Sequence, residues 1–114
     1  MIKCYPYESI SNNAIQIIFP KEYFFPAFIN TTNKLRASEE YRKISKIFLD
    51  LRNCEQLHGI GMSLEIQQFH EICMTDQVSV YCIGGREIYS IVKYMVEDSQ
   101  YLIPYYDTID EILL

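Results

Sequence analysis

Residues 46–74 read KIFLDLRNCEQLHGIGMSLEIQQFHEICM, and this stretch decides the fold. Residues 46–51 predict a central strand that is covered on both faces, because residues 47–51 are apolar except for Asp50. Residues 57–61 predict a tight turn, and residues 62–73 predict an amphipathic helix with an apolar stripe of Met62, Ile66, Phe69 and Cys73. We expect this stripe to face the core and the polar residues to lie elsewhere, among them Glu65, Gln68 and Glu71.

The segments on either side continue the same alternation. Two strands of an opening hairpin are predicted at residues 2–7 and 14–19, and a helix is predicted from Pro26. Residues 38–45 fit either an extra helical turn or a charged connection. The later periodicities predict strands at 78–83 and 102–103 and helices at 88–95 and 108–114. We therefore expect residues 1–114 to form one α/β domain with about four helices and a mixed, mostly parallel sheet of four or five strands.

The overall composition excludes several classes of protein. Hydrophobic residues make up 49% of the 114 residues, which is typical of a folded domain rather than a disordered chain. Ten basic residues against fifteen acidic ones give a net charge of −5, which argues against binding to nucleic acid. No apolar run reaches the roughly 18 residues that membrane insertion requires, and the first residues do not resemble a signal peptide. We therefore expect a cytoplasmic protein.

The residues that most often carry chemistry form no complete catalytic or metal site. Cys4, Cys54, Cys73 and Cys82 contain no C-x-x-C pair and are interpreted as reduced packing thiols. His70 and Cys73 are three residues apart on one predicted helix, but no second pair completes a zinc site. His58 lacks a matched nucleophile and base, so an enzyme is the least favoured class, and we expect no cofactor. Gly84-Gly85 predicts a tight turn, and Asp50 is expected to have a structural role.

Three stretches resemble STAS domains, the family of bacterial anti-sigma-factor antagonists and of the cytoplasmic tails of sulfate transporters. Residues 46–54 are similar to the family's central strand and the link that follows it. His58-Gly59-Ile60-Gly61 occupies the turn usually written Asp-Ser-Ser/Thr-Gly, and residues 101–113 are similar to its last strand, turn and helix. The resemblance implies a STAS-like fold and a module that binds a protein partner.

The turn departs from the family pattern at the residues that would be phosphorylated. In the antagonists, a serine in the turn is phosphorylated by the partner kinase, and the added charge and bulk block binding. Gly59 and Ile60 replace the two hydroxyl residues, so we expect no phosphorylation at either position. Gly61 keeps the family glycine at the helix start, where backbone N–H groups are available to a partner. The predicted partner-binding residues are Leu57, His58, Gly59, Ile60, Gly61, Met62 and Ser63.

Two functions follow from this resemblance. The first is a non-catalytic regulatory module that binds an anti-sigma factor or similar GHKL-type kinase through residues 57–63 and the exposed sides of the next two helices. The alternative is a cytoplasmic accessory subunit on the ATPase of an ABC lipid transporter. The third and least favoured function is a small enzyme that uses His58. The sequence leaves open whether the chain also forms a homodimer.

Overall fold

A computed structural model describes residues 4–22, 25–56, 61–94 and 103–113, and these residues form one layered α/β structure. Five strands lie side by side in chain order: β1 (Tyr7–Ser11), β2 (Ala14–Ile18), β3 (Lys46–Asp50), β4 (Ser79–Ile83) and β5 (Tyr105–Tyr106). β1 is antiparallel to β2, and the other neighbouring pairs are parallel. The described residues also contain α1 (Phe25–Arg36), α2 (Gly61–Thr75), α3 (Arg86–Tyr94) and α4 (Asp110–Leu113). The predicted mixed, mostly parallel α/β fold is confirmed.

The two edge strands lie later in the chain than the sequence predicts. β1 begins at Tyr7, so the predicted strand at residues 2–7 is wrong for the described residues 4–6. Pro6 has no N–H group to contribute to a ladder, and the Tyr5 N–H donates instead to Thr31 Oγ1 in α1, at 2.6 Å. β5 is Tyr105–Tyr106 rather than residues 102–103. Ile103 is a buried core residue, and residue 102 lies outside the described residues.

The segment between α1 and β3 has a defined structure. Glu40–Lys43 forms a 3₁₀ helix, which decides between the two interpretations of residues 38–45 in favour of an additional helical turn. Tyr41 in this turn is buried, and its hydroxyl donates a hydrogen bond to Asp76 Oδ2 at 2.7 Å. Burial, together with this bond, raises the pKa of the Tyr41 phenol above its ordinary value. The turn therefore ties the start of β3 to the end of α2.

Alternating side chains on the strands divide the core into two layers. On one face of the sheet, residues of β2, β3 and β4 pack against α1, α2 and α3, and the buried strand residues are Ile15, Ile17, Ile47, Leu49, Val80 and Cys82. On the other face, Ala14, Phe48 and Ile83 form a smaller buried cluster. Ile109 and Ile112 at α4 pack against this cluster. β3 is therefore covered on both faces, as its continuous apolar sequence predicts.

Two consecutive glycines connect β4 to α3 with left-handed backbone. Gly84 has φ +65° and Gly85 has φ +59°, a region that side chains other than glycine rarely adopt. A Cβ atom on Gly85 would lie 2.4 Å from the Leu51 carbonyl oxygen, whereas one on Gly84 would lie 2.2 Å from Cγ of Arg52. The first contact involves backbone and the second a long side chain. The predicted tight turn at Gly84-Gly85 is confirmed.

These contacts predict unequal costs for the same substitution at neighbouring positions. Gly84→Ala should lower the free energy of unfolding by about 2 kcal/mol, because the backbone is strained and the Arg52 stem has to shift although its guanidinium is held by Asp50. Gly85→Ala should cost about 3 kcal/mol or more, because the backbone carbonyl of Leu51 has no comparable freedom. Urea denaturation of both variants measures the difference. Equal losses of stability would show that the close approach of Gly85 to the Leu51 carbonyl adds nothing to the cost of the substitution.

Candidate functional site

The predicted partner-binding segment lies only partly within the described residues. Leu57, His58, Gly59 and Ile60 lie outside them. Gly61 is the first residue of α2, as predicted, and Met62 and Ser63 continue the helix backbone. On the other side, the link that leaves β3 is held at residues 55–56, whose N–H groups donate to the Lys21 carbonyl at 2.8 and 3.2 Å. The structure thus defines the two elements that border the segment.

Asp50, at the carboxyl end of β3, is buried within a complete hydrogen-bond network. Its side chain is 3% exposed and accepts hydrogen bonds from Arg52 Nε at 2.9 Å and from the Arg52 backbone N–H at 3.0 Å. The second carboxylate oxygen accepts from the Arg52 guanidinium at 2.7 Å and from Gln16 Nε2 at 3.1 Å. Because all four bonds hold this carboxylate in place, the geometry supports the predicted structural role of Asp50.

A second arginine lies at the same end of the sheet, where the parallel strands finish, and is the first residue of α3. The Arg86 guanidinium bonds both oxygens of Asp107 at 3.0 and 3.2 Å, and it lies over the ring of Tyr105. The Tyr105 hydroxyl also donates to Asp107, and these bonds hold the pKa of the Asp107 carboxyl below its usual value. A shallow cleft of about 370 Å³ separates the two arginines and is lined by Cys54 and Ile88 among others. Both arginines at this end of the sheet are therefore already paired with aspartates.

Glu65 is the site residue that sequence reasoning missed. The helical period places it roughly 70° from the centre of the apolar stripe on α2, which predicts a position outside the core. That expectation is wrong, since Glu65 is only 6% exposed. It lines a groove between α1 and α2, beside Phe28 and Phe69, whose rings meet edge to face at 5.7 Å between centroids. The packing of α1 widens the buried arc of α2 beyond the apolar stripe.

The electrostatic state of Glu65 follows from its surroundings. Among the described residues, neither carboxylate oxygen of Glu65 has a hydrogen-bond partner. Burial removes water from the charged form and raises the pKa of the Glu65 carboxyl from 4.5 to about 7. A buried and unpaired carboxylate is unfavourable for folding, which makes a ligand or a partner the natural source of its missing hydrogen bonds.

The helices α1, α2 and α3 present large apolar side chains to solvent. Leu64, in the first turn of α2, is 57% exposed, and Ile91 on α3 is 49% exposed. Ile72 and Met74 are exposed further along α2, and Ile29 is exposed on α1. Single exposed apolar residues are ordinary on protein surfaces, whereas contiguous apolar patches mark interaction sites. Leu64 and Ile91 are the most exposed of the five large apolar residues named here. We refer to Leu64 and Ile91 together as the helix surface.

Neither a metal site nor a membrane-spanning helix is found within residues 4–22, 25–56, 61–94 and 103–113. No group of three or more His, Cys, Asp and Glu side chains there is arranged to hold a metal ion. His70 and Cys73 are both buried, and the hydroxyl of Tyr41 lies 3.8 Å from Cys73 Sγ. In the same ranges, no helix combines the length and the apolar character that a bilayer crossing needs.

The Asp50 network predicts a clear contrast between the two arginines. Arg52→Met should lower the free energy of unfolding by about 2 kcal/mol, because a buried carboxylate loses its bonds to the guanidinium while the stem over Gly84 is kept. Arg86→Met should change stability little, because its ion pair with Asp107 is exposed. Urea denaturation of both variants at neutral pH provides the measurement. A stability loss for Arg86→Met as large as that for Arg52→Met would contradict this account of Asp50.

The burial of Glu65 predicts how stability depends on pH. The folded chain binds the Glu65 proton more tightly than the unfolded chain, so the free energy of unfolding falls as the pH rises from about 4.5 to about 7. Glu65→Gln removes this loss and should be more stable than wild type by about 3 kcal/mol at pH 8, with little difference near pH 4. Urea denaturation at both pH values measures the effect. Glu71→Gln changes an exposed carboxylate on the same helix and serves as the control.

Comparison of the chain with protein-family models, with curated proteins and with solved structures finds no match. The STAS resemblance therefore stays a prediction that depends on residues 46–54, the turn at residues 58–61 and residues 101–113.

Proposed function

We propose that this protein is a non-catalytic, cytoplasmic regulatory module that binds a partner protein through residues 57–63 and the helix surface. The exposure of Leu64 and Ile91 is the observation that carries the proposal. Leu64 follows residues 57–63 directly in the chain, so a partner that contacts the start of α2 would also cover its side chain. Burial of such a side chain contributes about 2 kcal/mol, which corresponds to roughly a thirtyfold gain in affinity.

The hydrogen bonds of two aspartates and the backbone N–H groups at the start of α2 support binding rather than catalysis. Asp50 and Asp107 are each held by an arginine, so neither is placed to act as a free general base. Backbone N–H groups at the start of α2 offer hydrogen bonds to a partner without any catalytic side chain. The replacement of both hydroxyl residues by Gly59 and Ile60 further implies a module that is not switched by phosphate at those positions.

The STAS resemblance suggests two classes of partner. One is an anti-sigma factor of the GHKL kinase class, and the other is the ATPase of an ABC lipid transporter. The helix surface is compatible with either, because apolar contacts between α-helices and a partner are common to many protein complexes. The identity of the captured protein decides between them.

The proposal is tested by affinity capture from cells of the source organism, followed by mass spectrometry. Wild-type protein should recover a specific partner, and Leu64→Glu should reduce its recovery at least tenfold, because a charge would be desolvated in the contact. Gly61→Arg should have a similar effect at the helix start. Ser9→Glu adds the same charge to the exposed edge strand β1 and should leave recovery unchanged.

The outcomes of this capture experiment separate the proposals. Equal recovery with wild type, Leu64→Glu and Gly61→Arg would show that this surface does not bind the partner. A kinase of the GHKL class would favour the anti-sigma-antagonist function, whereas an ABC ATPase would favour the transporter subunit. Circular dichroism of each variant confirms that the fold is intact.

A further inference from the structure

The groove between α1 and α2 is a small, mostly apolar site that contains one buried acid. Its volume is about 140 Å³, and its apolar walls are formed by Phe28, Ile29, Phe69 and Ile72. Glu65 lines the same groove with both carboxylate oxygens unpartnered among the described residues. Ile29 and Ile72 are each more than a third exposed, so the groove opens to the surface between two apolar residues. The site therefore combines apolar contact area with a single unsatisfied hydrogen-bond acceptor.

The buried carboxylate of Glu65 favours a cation as its missing partner, and the one other charged residue of the lining is already paired. Arg36 is the one charged residue that α1 contributes to the lining, and it forms an ion pair with Asp76 at 3.9 Å. The remaining polar residues of the lining are uncharged, namely Thr32, Asn33 and Gln68. A carboxylate in such surroundings is stabilised most by a positive group that donates hydrogen bonds. The net charge of −5 would also attract a basic partner.

The size of the groove limits the cation to a slender one. A cavity of about 150 Å³ in another protein holds a six-carbon ring, so a groove of 140 Å³ accommodates five or six non-hydrogen atoms. A lysine side chain has five such atoms, four of them carbons that suit the walls formed by Phe28 and Phe69. The arginine side chain is larger, and its planar guanidinium group is best matched by ligands that accept several bonds at once.

We propose that the groove between α1 and α2 receives a lysine side chain of the protein partner, with its ammonium group paired to Glu65. This inference rests on the proposed function, because it names a contact that the same partner makes beside the helix surface. Leu64 and Glu65 are consecutive residues of α2, so one partner segment is able to cover both. The lysine stem packs between Ile29 and Ile72. Each Glu65 carboxylate oxygen exposes less than 1 Å² in the free chain, so the side chain turns toward the groove to accept the hydrogen bonds of the ammonium group.

Pairing with lysine makes the interaction depend on pH. Free Glu65 has a pKa of about 7, and the ammonium group favours its charged form, so binding releases a proton at neutral or lower pH. The affinity should therefore be about tenfold weaker at pH 6 than at pH 8. Arg36 stays charged across this range, and the other polar residues of the lining do not titrate. The pH dependence is thus assigned to Glu65.

The test is an NMR titration of the isolated chain with Nα-acetyl-lysine N-methylamide as the probe. We expect saturable amide shifts in α1 and α2 with a dissociation constant in the millimolar range, as befits a ligand of this size. The corresponding norleucine derivative has the same stem without the ammonium group and should bind at least tenfold more weakly. Glu65→Gln should abolish the preference for lysine, whereas Glu71→Gln should retain it.

Each outcome bears on the inference separately from the proposed function. Equal binding of the lysine and norleucine probes, equal affinity in Glu65→Gln and wild type, or shifts confined to other elements would overturn the lysine site. Because the titration uses no partner protein, its failure leaves the capture experiment with Leu64→Glu unaffected. Conversely, binding of the lysine probe together with undiminished partner capture by Leu64→Glu would support the lysine site and overturn the proposed role of the helix surface.

Discussion

The burial of β3 on both faces is the constraint from which most of the structure follows. Ile47 and Leu49 contact the helical layer, and Phe48 between them contacts the smaller cluster on the opposite face. A strand in this position needs neighbours on both edges and a layer on each side. β2 and β4 satisfy its edges, α1 to α3 cover one face, and α4 covers part of the other. The close approach of Gly85 to Leu51 is a further consequence of this dense packing.

Two buried carboxylates illustrate how differently one fold treats the same chemical group. Asp50 is surrounded by donors and is thereby fixed as part of the framework at the end of β3. Glu65 is equally removed from solvent, but its charge is not compensated by the described residues. Natural proteins pair nearly all buried polar groups, so an exception calls for a functional explanation. The lysine site is the explanation proposed here for Glu65.

α2 unites the features that we associate with binding. It begins at Gly61, beside the segment for which partner binding is predicted, and it exposes Leu64 in its first turn. Its next residue, Glu65, enters the groove against α1. A partner that lies along the start of this helix would therefore meet backbone donors, an apolar side chain and a buried acid within a short distance. No catalytic residue is required for that role.

The alternation of strands and helices, the continuous apolar run of β3 and the glycine turn after β4 were determined by the sequence alone. They are local properties, because the spacing of apolar residues and the backbone freedom of Gly84-Gly85 do not depend on distant neighbours. The edge strands, the burial of Glu65 and the contact of Asp50 with Gln16 were decided only by the tertiary structure. Each of these depends on residues far apart in the chain. An edge strand ends where its neighbour stops pairing. A helix face is buried only where another element packs against it.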